Sequence, residues 1–159
     1  MKIWKLYFFS ILFFLSPRFS YASTSLSAYS QTEAMQQINR GYESTVRPIL
    51  EKSCTACHSS NGKMPWFYQV PLLHNVMDQH VQAAREHIEF TARFPFHSQR
   101  TATEDLQLLA VTIRQDLMPP RSYRWTHRES VLSENEKRVI LQWIENSQLI
   151  LDSNHFVGL

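Results

Sequence analysis

Cys54-Thr55-Ala56-Cys57-His58 is the stretch that decides the reading of this chain. Two thiols three positions apart can form thioethers with the two vinyl groups of one porphyrin. The adjacent imidazole is a normal axial ligand for its iron. Attachment of a c-type haem is the leading reading of the five residues. Its rivals are a dithiol redox pair, half of a zinc site, or two cysteines of no special role. A thioredoxin-like pair is expected beside a βαβ pattern, and the flanks here look helical. A zinc site needs a second ligand pair, and the chain has only these two cysteines.

Upstream, the first residues read as a secretion signal. Lys2 and Lys5 form a short basic start, Leu6 to Leu15 is apolar apart from Ser10, and Ser20-Tyr21-Ala22 offers small residues for cleavage after Ala22. A retained membrane anchor is the competing reading, but the apolar run falls short of the roughly 20 residues that span a bilayer. Export to the periplasm suits haem attachment, which bacteria carry out beyond the cytoplasm. A disulfide also survives there, so location alone does not separate the two readings.

Loss of residues 1–22 removes Lys2, Lys5 and Arg18 and turns the net charge of +2 into −1. The basic balance thus belongs largely to the signal, and nothing calls for a nucleic-acid partner. The rest suffices for one domain with one core. Three glycines and 13% aromatic residues argue against a disordered or repetitive chain.

Outward from the motif, apolar spacing predicts helices joined by proline-bearing loops. Residues 23–31 are rich in Ser and Thr and read as a flexible lead-in. From Thr32 to Ser53, Met35, Ile38, Tyr42, Val46, Ile49 and Leu50 recur at helical steps, with Pro48 as a kink or a new first turn. Ser59 to Gly62 reads as a turn and Met64 to Tyr68 as an aromatic loop that could cover a haem face or simply join the core. A second stripe runs from Pro71 to about Phe90 through Leu73, Val76, Met77, His80, Val81, Ala84, His87 and Ile88. Beside these histidines, Arg85 could pair with Glu86 or contact a haem propionate. Residues 91–103 read as a loop, and a helix is expected from Thr103, its N-cap, with Leu106, Leu109, Ala110 and Ile113 facing the core. Ser133 and Glu136 form a capping box before a last helix bearing Val139, Ile140, Trp143 and Ile144, which should pack on the first helix or around the haem.

The helix after Thr103 must stop before Leu117-Met118-Pro119-Pro120, because the prolines hold this segment extended. A methionine on so stiff a loop, sixty residues beyond His58, can offer its sulfur to the second face of the iron. The other reading of Met118 is a filler of a core gap. His80, His87 and His127 are the alternative sixth ligands, while Met35, Met64 and Met77 suit packing roles.

Several of these motifs occur together: the Cys54 to His58 stretch, Pro65 to Tyr68, His80 with Arg85 to Phe90, Met118-Pro119-Pro120 with Tyr123 and His127, and Leu132-Ser133 through Trp143-Ile144. In this order, over roughly residues 40–146, the chain resembles the bacterial haem-binding domain family of small cytochrome-c-like proteins. The resemblance implies a periplasmic, mostly helical domain with one covalent haem, His58 as proximal ligand and Met118 as distal ligand. The chain departs from the family pattern in a longer segment between Phe90 and Leu106.

The expected fold is therefore all-α, a small cytochrome-c-like helical domain enclosing one covalently attached haem c. Its expected parts are a signal peptide (1–22), a lead-in (23–31), the haem-binding domain (32–151) and a tail (152–159). Cys54 and Cys57 would carry the thioethers, and His58 and Met118 would hold the iron. Coordination by His and Met suits a carrier of single electrons to an unidentified redox partner protein, with no catalytic group required and no stable transmembrane anchor after cleavage. A haem peroxidase or small-gas sensor with an open sixth position is the rival, in which His80, His87 or Arg85 lines the distal pocket.

Overall fold

The structure, a computed structural model, describes residues 21–156, and the fold is all-α as expected. Seven α-helices occur among the described residues: α1 (Tyr21–Gly41), α2 (Arg47–Ser53), α3 (Thr55–His58), α4 (Pro71–His87), α5 (Ala102–Arg114), α6 (Arg121–Thr126) and α7 (Glu134–Phe156). Two single 3-10 turns, Trp66–Gln69 and Arg128–Ser130, and one isolated antiparallel bridge, Glu89 with His97, complete the pattern. Most of the signal segment lies outside the described residues, as do the side chains of Trp66, Phe67 and Leu73 and the end of the tail.

α7 packs against both α1 and α5, and the core lies between them. Leu106, Leu109, Ala110 and Ile113 are buried on α5, and Ile140, Trp143 and Ile144 on α7, as their spacing predicts. The opposing face comes from Ile38, Tyr42, Val46 and Leu50, one residue every four. In a regular helix such a row drifts by about 40° per step. A π turn at Tyr42–Val46 widens the helix and returns the row to the core. Pro48 follows in the first turn of α2, where its missing N–H costs no hydrogen bond. Gly41 lies against α7: a Cβ there would stand 3.0 Å from Trp143 Cδ1.

Four expectations need correction. Residues 23–31 belong to α1, because Ser and Thr only weakly oppose a helix and no Gly or Pro interrupts this run. α7 continues past Leu151 to Phe156 for want of any stop signal. The N-cap of α5 is Thr101 and not Thr103. Thr101 Oγ1 accepts from Glu104 N at 3.3 Å while Glu104 Oε2 accepts from Thr101 N at 2.8 Å, and only Thr101 has a glutamate three residues on. Finally, α4 ends at His87, and the chain turns extended at Ile88.

The segment from Ile88 to Thr101 contributes far more than a loop. Phe90, Phe94 and Phe96 enter the core, where Phe96 meets Tyr42 edge-on at 5.4 Å between ring centroids and Phe94 meets Trp143 edge-on at 5.8 Å. Asn39 on α1 pairs with both backbone groups of Phe94, accepting from its N–H and donating to its C=O at 2.8 Å each. Tyr42 donates its hydroxyl to Thr91 O at 3.0 Å. At the far end Asp105, only 1% exposed, accepts from Arg100 Nε at 3.0 Å and from Ser98 Oγ at 2.7 Å.

The two capping boxes are independent tests of this description. Ser133 repeats the pattern at the start of α7, with Ser133 Oγ accepting from Glu136 N at 3.3 Å and Glu136 Oε2 from Ser133 N at 2.8 Å. Thr101→Ala should cost about 1 kcal/mol. The expected result is a lowered thermal midpoint with an unaltered haem spectrum, whereas Thr103→Ala should leave the midpoint nearly unmoved.

Candidate haem site

The Cys54 to His58 stretch leaves α2 and closes into the single turn α3. The N–H groups of Cys57 and His58 return to Cys54 O at 3.2 and 3.1 Å. Gly62 sits directly over this turn: a Cβ on it would fall 2.0 Å from Thr55 O, so no other residue fits without moving the backbone. Cys54 and Cys57 are unpaired thiols, each partly buried. Burial pushes the Cys54 thiol up to about 12. It raises Cys57 as well, against the opposing charge of Arg85. Both thiols therefore stay protonated at neutral pH, unlike the low-pKa thiolate of a disulfide oxidoreductase. Two thiols and one imidazole also form no cage for a bare metal: no cluster of three or more His, Cys, Asp or Glu converges among the described residues.

His58 is clamped twice by the segment that follows α4. Ile88 O accepts from His58 Nδ1 at 2.9 Å, and His58 O accepts from Phe90 N at 2.7 Å. The carbonyl can only accept, so Nδ1 carries the proton and Nε2 keeps its lone pair for a metal. Burial lowers the pKa of the ring against the backbone hydrogen bonds that raise it, which keeps the imidazole neutral and fit to bind iron. Phe90 flanks the ring with centroids 5.6 Å apart. This clamp escaped the sequence reading, because a backbone carbonyl has no residue signature.

Farther along the chain, α5 runs into a turn whose Asp116 adopts a positive φ of 53° and whose carboxylate accepts from Lys137 on α7 at 2.7 Å. Met118 follows at 42% exposure, beside a buried Pro119. It fills no core gap, in contrast to Met35, which packs against the core. α6 then presents Tyr123, which stacks on His127 with centroids 4.1 Å apart and planes 4° apart. Burial raises the Tyr123 pKa and Cys57 adds to it, so Tyr123 lies within electrostatic reach of that cysteine.

Of the remaining candidates, His87 lies within electrostatic reach of His58. His80 and His87 are exposed, and of their stripe only Val81 and Ile88 are buried while Val76 is 52% exposed. Their shared face is thus real, but the core does not cover it. Glu86 accepts from Gln82 Nε2 at 3.0 Å and forms no ion pair with Arg85. Two surface grooves, one along α1 at Met35 and Asn39 and one between α5 and α7 at Asp116 and Lys137, are lined by neither the thiols nor His58.

The family model of a haem-binding domain matches residues 11–146. A cytochrome c peroxidase, Ccp, of Escherichia coli is 25% identical over 98 residues, which is 60% of this chain and 21% of that protein. The chain therefore spans about a fifth of the length of this curated relative. No solved structure matches it. The donor set at the site fits the cofactor: two protonated thiols at vinyl spacing and a neutral, oriented imidazole. By its sequence this chain belongs to the haem-binding domain family, and the cofactor it binds is haem.

Proposed function

We propose that this is a periplasmic mono-haem c-type cytochrome-like protein that passes single electrons to a redox partner protein. Cys54 and Cys57 carry the thioethers, His58 holds the proximal side of the iron and Met118 the distal side. The observation that carries this reading is the double clamp on His58, with Ile88 O accepting from Nδ1 at 2.9 Å and Phe90 N donating to His58 O at 2.7 Å. A pre-oriented neutral ligand changes little between oxidation states, which keeps the reorganisation small. When bound, the haem supplies the Fe(III)/Fe(II) couple.

Met118 is supported by its exposure on a proline-braced turn anchored to α7 through Asp116 and Lys137. Export is supported by the basic and apolar pattern of residues 1–22, with cleavage after Ala22. Among the described residues no helix is long and apolar enough to cross a membrane.

Optical spectra of the purified oxidised and reduced protein test the reading. A low-spin spectrum with the sulfur-to-iron charge-transfer band at the red edge is expected. Met118→Ala should abolish that band and lower the reduction potential, while His80→Ala and His87→Ala leave both in place. The Escherichia coli relative is named a peroxidase. A high-spin wild-type spectrum with ready binding of carbon monoxide or cyanide would assign that open-site chemistry to this chain instead.

A further inference from the structure

Residues 117–128, between Asp116 and Glu129, carry Arg121, Arg124 and Arg128 and no carboxylate. The rest of residues 23–159 runs the other way, with 10 basic residues against 14 acidic ones. Positive charge is thus gathered on α6 and on the turn Arg128–Ser130 that packs against it. Among the described residues no ion pair reaches these three arginines or Glu129. Asp116 feels the charge of Arg124 but is held by Lys137 at 2.7 Å.

α6 has two unlike faces. Tyr123, half-buried and stacked on His127, is the residue of this helix within electrostatic reach of Cys57. Trp125 stands about 200° further round the helix, and it is 81% exposed. Arg121, four residues before Trp125, shares its face and is exposed as well. The outer face therefore offers an indole and unpaired guanidinium groups to solvent. Trp and Arg are the side chains that carry most binding energy where proteins meet, and guanidinium groups select carboxylates. A membrane fits this face less well, because a helix of six residues with one large apolar side chain on it has little to bury in lipid.

We propose that the outer face of α6, with Trp125 as its apolar anchor and Arg121, Arg124 and Arg128 beside it, is the surface on which an acidic redox protein docks. The proposal rests on the electron-carrier reading above and gives its partner a chemistry: a surface of Asp and Glu with an apolar recess for the indole. Attraction between the charged surfaces speeds encounter, and the indole holds the complex once formed. Docking there brings the partner to the segment that bears Met118, three residues before Arg121.

Stopped-flow oxidation of the reduced holoprotein tests this with two oxidants: plastocyanin, an acidic copper protein, and tris(phenanthroline)cobalt(III), a small cation that needs no docking surface. The wild-type rate with plastocyanin should fall as salt rises. The triple variant Arg121→Gln, Arg124→Gln, Arg128→Gln should lower it about tenfold at low salt and flatten the salt dependence. Trp125→Ala should slow it severalfold at low and high salt alike. The same loss of charge around α1, by Arg40→Gln, Arg47→Gln and Arg93→Gln, should leave the rate within about twofold. None of these variants should slow the reaction with the cobalt complex. Should the α6 variants fail to mature, the wild type answers by NMR: redox-inactive cadmium plastocyanin should shift the Trp125 indole N–H, and shifts confined to other elements overturn the proposal. Equal effects of the two triple variants on the plastocyanin rate overturn it too and leave the carrier reading standing. So does arginine-dependent sedimentation with phosphatidylglycerol vesicles without an arginine-dependent plastocyanin rate, which assigns the face to a membrane. A holoprotein that gives electrons to neither oxidant overturns both readings.

Discussion

Protein carrying Cys54→Ala together with Cys57→Ala, matured in a strain competent in haem attachment, is expected to hold no covalent haem. The wild type should run as a haem-staining band on a denaturing gel, with its mass raised by one haem per chain. The double variant should show the bare chain mass and no stain. Each single variant keeps one thiol and should retain at most a small fraction of the wild-type stain. The fold should persist in all three, because neither cysteine is among the fully buried residues and the core is built from other side chains. Helical circular dichroism close to that of wild-type apoprotein checks that point. Undiminished stain in the double variant would rule out the thioether assignment and leave haem binding to other groups.

Trp143→Ala should have the largest effect on stability. The indole is 6% exposed and touches Tyr42, Phe94 and Phe96, with centroids 5.6, 5.8 and 6.3 Å away. Its Nε1–H donates to Ile38 O at 3.1 Å, so the side chain joins α7 to α1 beside the π turn. Truncation removes these ring contacts, leaves a cavity and frees a buried carbonyl, at a cost of about 3–5 kcal/mol. A domain of this size has a total stability of about 5–15 kcal/mol. Urea unfolding of the apoprotein should show a midpoint lowered by about a fifth or more. A loss under about 1 kcal/mol would mean that α1 and α7 do not meet as described.

Parts of the fold and site were legible because they are written in side chains at fixed spacing. The buried face of α5 and the Ser133 cap of α7 are of this kind. Thr101 and Thr103 both precede acids, and only the three-residue distance to Glu104 separates them. The stripe on α4 shows the limit of periodicity, which tells what shares a face and not what covers it. His80 and His87 do share a face, seven residues apart, yet that face stands in solvent while Val81, about 100° round the helix, is buried. Least legible was the segment from Ile88 to Thr101. Its proline and scattered polar residues suggest a surface loop, while its three phenylalanines are tied to the core by Asn39, a residue 55 positions away from Phe94.

That long tie has a consequence for the order of events in biogenesis. Ile88 lies 30 residues after His58, and its segment is held in place by α1 on one side and by Asp105 on the other. Closing such loops carries an entropic cost that must be met before the contacts form, so the grip on the imidazole arises late in folding. If the proposed thioethers form, both thiols are most open to the attachment chemistry before this grip closes, while the turn from Cys54 to His58 is held only by local bonds. Once the phenylalanines dock, the same turn is roofed by Gly62 and its thiols are withdrawn into the protein. The proposed attachment would then have a window that folding itself shuts, and variants that slow the docking of this segment should lengthen it.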